Sequence, residues 1–271
     1  MKRLISLVIS VLLLCAAACA EGGSGAVAVG QITEISPGVP LDLDGDGDQE
    51  SVRYEIVRDE DGYDTGFRME IGDAAVEGSG WCMNEKLYVL RISEYDTLIL
   101  VSDYGPSDDY ETHFYLYSND LLIPAGSVFS MPESMNVNDG IITAPVRGKL
   151  LYTWFHDADF ALANYWGENG ETKAHVYQIP RWMYPMGLMV TLKTDLPVMI
   201  SMADSDEGHT FQAGEEVILC ATDDAAWVYV QSVESGAAGW MRAGGETGME
   251  CLVNGEWMFS WDVFEGLVFA D

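Results

Sequence analysis

Asp42-Leu43-Asp44-Gly45-Asp46-Gly47-Asp48-Gln49-Glu50 runs straight into Ser51-Val52-Arg53-Tyr54-Glu55-Ile56-Val57, and this join of acidic ladder to alternating segment decides the reading of the fold. Val52, Tyr54 and Ile56 alternate with Ser51, Arg53 and Glu55, the period of two that a half-buried strand requires. Ahead of them, Asp42, Asp44, Asp46 and Glu50 place side-chain oxygens at positions 1, 3, 5 and 9, and Asp48 at position 7 is free to offer its carbonyl. Ca²⁺ takes six to eight hard oxygen ligands, and Gly47 permits the sharp turn that wraps a short loop around it. Four regularly spaced acids repel one another unless a cation neutralises them. An Asp-Gly turn without metal is the alternative, since both residues favour turns.

The twelfth position counted from Asp42 is Arg53, where an EF-hand needs a bidentate glutamate. The segment instead resembles the D-x-D-G-D-G-x-x-[DE] calcium loops of FG-GAP and related β-propeller repeats, in which the loop links or precedes strands. That resemblance implies Asp42, Asp44, Asp46 and Glu50 as side-chain ligands and Asp48 as a carbonyl ligand. The implied role is structural, pinning the loop and orienting the next strand. A weaker echo, Ser93-Glu94-Tyr95-Asp96 before Thr97-Leu98-Ile99-Leu100-Val101, lacks the ligand ladder.

Working outward, short β-branched and aromatic runs bounded by Gly, Asp, Asn and Pro recur at Phe67–Ile71, Leu87–Ile92, Thr97–Ser102, His113–Tyr117, Leu150–Trp154 and His175–Ile179. No long amphipathic helix stands out, so the class is all-β. Residues 30–184 are expected to form an antiparallel domain of two or three blade-like units, a partial propeller or a sandwich, because closed propellers need four to eight blades. Pro180 and Pro185 mark a boundary, after which residues 185–271 start a second set. Met189–Leu192, Val198–Ser201, Val217–Ala221, Trp227–Val230 and Gly239–Arg242 read as five short strands of a small barrel.

Gly214-Glu215-Glu216-Val217-Ile218-Leu219, Trp227-Val228-Tyr229-Val230 and Gly239-Trp240-Met241 resemble bacterial Src-homology-3-like domains, although the Asn-Val-Arg segment of that family is replaced by Thr191-Leu192-Lys193. The resemblance implies a wall-polymer or peptide-binding surface formed by Trp227, Tyr229 and Trp240, with core packing as the competing role for the same rings. The apolar tail Glu250–Asp271 is expected to pack back onto a domain.

At the other end, Lys2 and Arg3 precede an apolar run from Leu4 to Leu14 and then small residues, the pattern of a secretory signal over residues 1–20. Ala16-Ala17-Ala18-Cys19 resembles a lipobox, which implies a lipidated Cys19, a flexible tether at 21–29 and attachment to the outer face of the cytoplasmic membrane. Ala18-Cys19-Ala20 also fits ordinary cleavage before Glu21 and free secretion. Cys82, Cys220 and Cys251 would then remain, with Cys220 and Cys251 as the nearer pair for a disulfide and three thiols as the alternative.

Composition limits the partners. The chain has 13 basic and 44 acidic residues and a net charge of -31, which reaches about -33 once Lys2 and Arg3 leave. Such a surface argues against nucleic acid and anionic headgroups as partners. His113, His156, His175 and His209 form no H-x-H or H-E-x-x-H pattern, there is no C-x-x-C, and Ser107 lacks a nucleophile-elbow context. The acidic pairs Asp108-Asp109, Asp157 with Asp159, and Asp223-Asp224 keep a hydrolase as the alternative to a non-catalytic surface lipoprotein, and an accessory subunit of a surface complex as a third reading.

Overall fold

A computed structural model describes residues 26–105, 109–152, 154–203 and 207–268, and the protein is all-β, built from antiparallel sheets. The signal segment, Cys19 and most of the tether lie outside the described residues. Among the described residues no helix is long and apolar enough to cross a membrane.

The chain opens with β1 (Ile32–Ile35) and then a four-stranded meander of β2 (Pro40–Leu41), β3 (Glu50–Arg58), β4 (Asp64–Ile71) and β5 (Ala74–Ser79). A second meander follows: β6 (Met83–Arg91), β7 (Thr97–Asp103), β8 (Glu111–Ser118) and β9 (Leu121–Val128), with β1 added beside β6. The third holds β10 (Asn136–Asn138), β11 (Ile141–Arg147), β12 (Phe155–Trp166) and β13 (Thr172–Ile179).

The second sheet is the middle layer, which explains its nearly continuous apolar strands. Leu87, Val89, Ile99, Val101, Tyr115 and Tyr117 pack on Val52, Phe67, Met69 and Ile71 of the first sheet. The alternate residues Tyr88, Leu90, Leu98, Leu100, Phe114 and Leu116 pack on Ile142, Ala144, Ala158 and Phe160 of the third. Period-two alternation thus feeds two cores from one sheet, and each fully buried Leu, Ile or Phe contributes about 1.5–3 kcal/mol. Three four-strand units succeed one another face to face.

The remaining chain forms β14 (Tyr184–Leu192), β15 (Leu196–Met199), β16 (Glu207–Phe211), β17 (Glu216–Thr222), β18 (Trp227–Ser232), β19 (Ala238–Gly244), β20 (Glu250–Val253), β21 (Glu256–Phe259), the short helix α1 (Ser260–Val263) and β22 (Phe264–Glu265). Four of the five strands expected here fall within β14, β17, β18 and β19, and the fifth, Val198–Ser201, overlaps β15 only at Val198 and Met199. They do not close into a barrel. The sheet runs β16-β15-β19-β18-β17-β14-β22, and its end strands do not pair with each other. Phe211 from one edge and Phe264 from the other nevertheless enter one core with Leu219, Val228, Val230 and Met241, so the sheet curls over a shared interior. The tail packs back as expected, with Cys251, Val253, Val263 and Phe264 buried.

Besides the barrel, two further expectations are corrected. Among the described residues of Leu150–Trp154 none lies in a strand: Leu151 and Tyr152 take positive φ of 66° and 47°, and β12 starts only at Phe155. Those residues are apolar because Leu150 and Leu151 insert into the C-terminal core. The Cys220–Cys251 disulfide is not formed, and Cys82, Cys220 and Cys251 are free thiols. Val217 and Leu219 point into the core that also buries Cys251, which turns Cys220 toward the other face of the sheet.

Candidate metal centre and aromatic face

The acidic ladder is the connection of the β2–β3 hairpin, in which Leu41 pairs with Glu50. Leu43 anchors it. The leucine side chain is fully buried, its N–H donates to Glu50 Oε2 at 2.9 Å, and its carbonyl accepts from Thr97 Oγ1 at 2.7 Å. Flanked by this anchor, the loop folds on its own acids: Gly45 N–H donates to Asp42 Oδ1 (2.6 Å), Asp46 N–H to Asp44 Oδ1 (3.2 Å) and Asp48 N–H to Asp46 Oδ1 (2.7 Å). Gly45 and Gly47 supply the positive φ values, 83° and 98°, that reverse the chain.

Carboxylate oxygens of Asp42, Asp44 and Glu50 converge to within 4.8 Å of one another. Burial, and the charges of Asp44 and Asp46, push the Glu50 carboxyl above its ordinary value against the lowering effect of the Leu43 N–H. Three crowded oxygens with a destabilised negative charge fit a hard divalent cation. Asp46 is outside that cluster and Asp48 is exposed, so the expected five-residue ligand set is gathered only in part. Arg91 of β6 ties the loop down, its Nη2 donating to the carbonyls of Asp44 (3.1 Å) and Glu94 (3.0 Å). The echo at Ser93–Asp96 is the β6–β7 turn, closed by Ser93 Oγ donating to Asp96 Oδ2 at 2.9 Å, and it lies against the acidic loop through the same arginine.

At the C-terminal sheet, alternation separates two jobs. Val228, Val230 and Met241 face the core, which turns Trp227, Tyr229, Trp240 and Arg242 to the opposite face. Tyr229 pairs with Trp240 across the ladder, ring centroids 4.9 Å apart, and Trp227 pairs with Arg242, whose guanidinium stands 5.7 Å above the indole. Covered in this way, Trp227 is 9% exposed and is not itself a contact surface, whereas Tyr229 and Trp240 are half-buried. Trp240 also borders a cleft of about 540 Å³ with Pro197, Met199, Leu252, Asn254 and Arg242.

Four members of the acidic pairs, Asp109, Asp159, Asp223 and Asp224, have structural work. Asp223 Oδ1 accepts from the N–H groups of Ala225, Ala226 and Trp227 at 2.8–3.0 Å, and Asp224 Oδ1 accepts from those of Lys149 (2.7 Å) and Leu150 (3.1 Å). Asp159 binds Arg181 Nη2 at 2.6 Å and Thr143 Oγ1 at 2.9 Å, and these bonds, the arginine first, hold its carboxyl below the ordinary value. Ser107 and Asp108 lie outside the described residues, and Asp109 meets Arg147 at 3.3 Å. Sequence reasoning missed one grouping: His113 meets Asp103 and Glu111 across β7 and β8. The signal was present as a two-residue spacing on one strand, but its third member needed the strand register.

No protein-family model matches the chain, and no curated protein and no solved structure matches it either.

Proposed function

We propose that the chain is a non-catalytic binding protein of the bacterial cell surface, exported and lipid-tethered at Cys19, with a calcium-ordered β stack that carries a C-terminal module for wall glycan. The observation that supports this reading is the outward placement of the Tyr229–Trp240 pair. Core positions on the same strands are filled by Val228, Val230 and Met241, so the rings are free to stack on a ligand. Aromatic faces bind flat apolar surfaces such as those of sugar rings, and Arg242 and Asn254 at the cleft edge supply donors. Stacking on the face of a sheet also favours a glycan over a peptide, which adds to a sheet at its edge.

Co-sedimentation of the mature chain with purified peptidoglycan tests it. Trp240→Ala is expected to weaken retention at least tenfold while leaving the melting temperature within a few degrees. Equal retention of parent and variant contradicts the assignment.

A further inference from the structure

The middle sheet holds a second ligand cluster, remote from the acidic loop in sequence and different in chemistry. Asp103 on β7 stands directly opposite Glu111 on β8, and His113 follows Glu111 by two residues and so rises on the same face. Ligand atoms of the three lie within 4.8 Å of one another. His113 Nε2 is 3.3 Å from Asp103 Oδ2 and 4.0 Å from Glu111 Oε2. Directly opposed like charges destabilise a ladder, and the Asp103 side chain is only 9% exposed, so water does little to screen it.

The surroundings leave room for an ion. Asp103, Glu111 and His113 wall a cleft of about 320 Å³ together with Gly80 and Trp81. A β-carbon on Gly80 would lie 3.0 Å from Asp103 Oδ2 and 2.3 Å from Met83 Sδ, so the bare glycine keeps the aspartate accessible. The Ser127 hydroxyl donates to Glu111 Oε1, the kind of outer partner that orients a ligating carboxylate.

We propose that Asp103, Glu111 and His113 form a binding site for a borderline divalent cation of the Zn²⁺ class. One imidazole nitrogen with two carboxylates is a donor set for such an ion, whereas Ca²⁺ calls for an all-oxygen shell. Tetrahedral Zn²⁺ with bonds of about 2.0–2.2 Å holds its ligand atoms roughly 3.3–3.6 Å apart. The His113–Asp103 spacing already has that value, and the half-exposed Glu111, 4.0 Å from Nε2 and within 4.8 Å of the aspartate ligand atom, has on the order of an ångström or less to close. In the metal-free chain Nε2 and Asp103 Oδ2 face each other directly at 3.3 Å, and the ion takes the place of that contact. Three protein ligands leave a fourth position open toward the cleft beside Trp81, where water or a ligand carboxylate completes the shell.

Calorimetric titration of Zn²⁺ into the calcium-saturated mature chain tests the site. One zinc per chain is expected, with affinity reduced at least tenfold by His113→Gln and by Asp103→Asn and unchanged by Asp44→Asn. Absence of zinc binding by the parent, or parental affinity in His113→Gln, overturns the proposal. Should these variants fail to fold, Co²⁺ added to the parent decides: intense visible bands of a four-coordinate ion support the site, and a spectrum identical to aqueous Co²⁺ refutes it.

Discussion

Arg91 occupies the space beside Gly45 so fully that a β-carbon on the glycine would lie 2.0 Å from its Nη2. The same nitrogen bonds the Asp44 carbonyl, so the bare backbone of Gly45 is what lets the middle sheet hold the acidic loop. Gly45→Ala therefore carries both a left-handed backbone cost and the displacement of Arg91, about 1–3 kcal/mol together. Gly47 has a similar φ but open space around it. Urea unfolding is expected to show Gly45→Ala less stable than Gly47→Ala, with weaker calcium affinity in the former.

Glu50 gives a pH-dependent contrast. Because its folded value is raised above the ordinary 4.5, its contribution to stability is fully present below that ordinary value and is lost as pH rises through the folded one. In chelator, Glu50→Gln should melt higher than the parent at neutral pH, with the gap closing as the medium is acidified past the ordinary value. In saturating Ca²⁺ the order should reverse, since the variant gives up a charged ligand. Melting curves across pH, with and without calcium, check both halves.

Thiol accessibility separates the three cysteines. Cys82 is exposed, whereas burial pushes the Cys251 thiol up to about 12 and raises that of Cys220 to a lesser extent. Maleimide mass labelling of the native chain at neutral pH should modify Cys82 first, Cys220 slowly and Cys251 only after unfolding.

Asp224 fastens the Lys149–Leu150 segment to the C-terminal sheet through two backbone N–H groups, from a left-handed position with φ of 54°. Asp224→Ala leaves the buried Leu150 donor and the part-buried Lys149 donor unpaired and should cost about 1–3 kcal/mol. Asn tolerates the same φ and keeps an acceptor, so Asp224→Asn should cost less. Urea midpoints of the two variants measure the difference.

Much of this architecture was legible in period-two patterns. Val52, Tyr54 and Ile56, Thr97–Ser102 and Trp227–Val230 all lie in strands where alternation or a continuous apolar run placed them. Leu150–Trp154 misled because its leucines fill a neighbouring core, a tertiary demand that local pattern does not encode. The barrel expectation failed for a related reason: closure depends on whether the distant edges β16 and β22 pair, and they do not. Within the loop, spacing identified Asp42, Asp44 and Glu50, whereas the fold of the loop, which local spacing does not encode, leaves Asp46 outside their cluster. His113 looked isolated in sequence because Asp103, its nearest acidic partner, lies across a strand ladder.

The most direct measurement is calorimetric titration of Ca²⁺ into the chelator-treated chain beginning at Glu21, beside the Asp44→Ala, Asp46→Ala double variant. One calcium per parent chain, a raised melting temperature and no binding by the variant are the predicted result. No binding by the parent, or equal binding by both, would contradict a calcium-ordered loop.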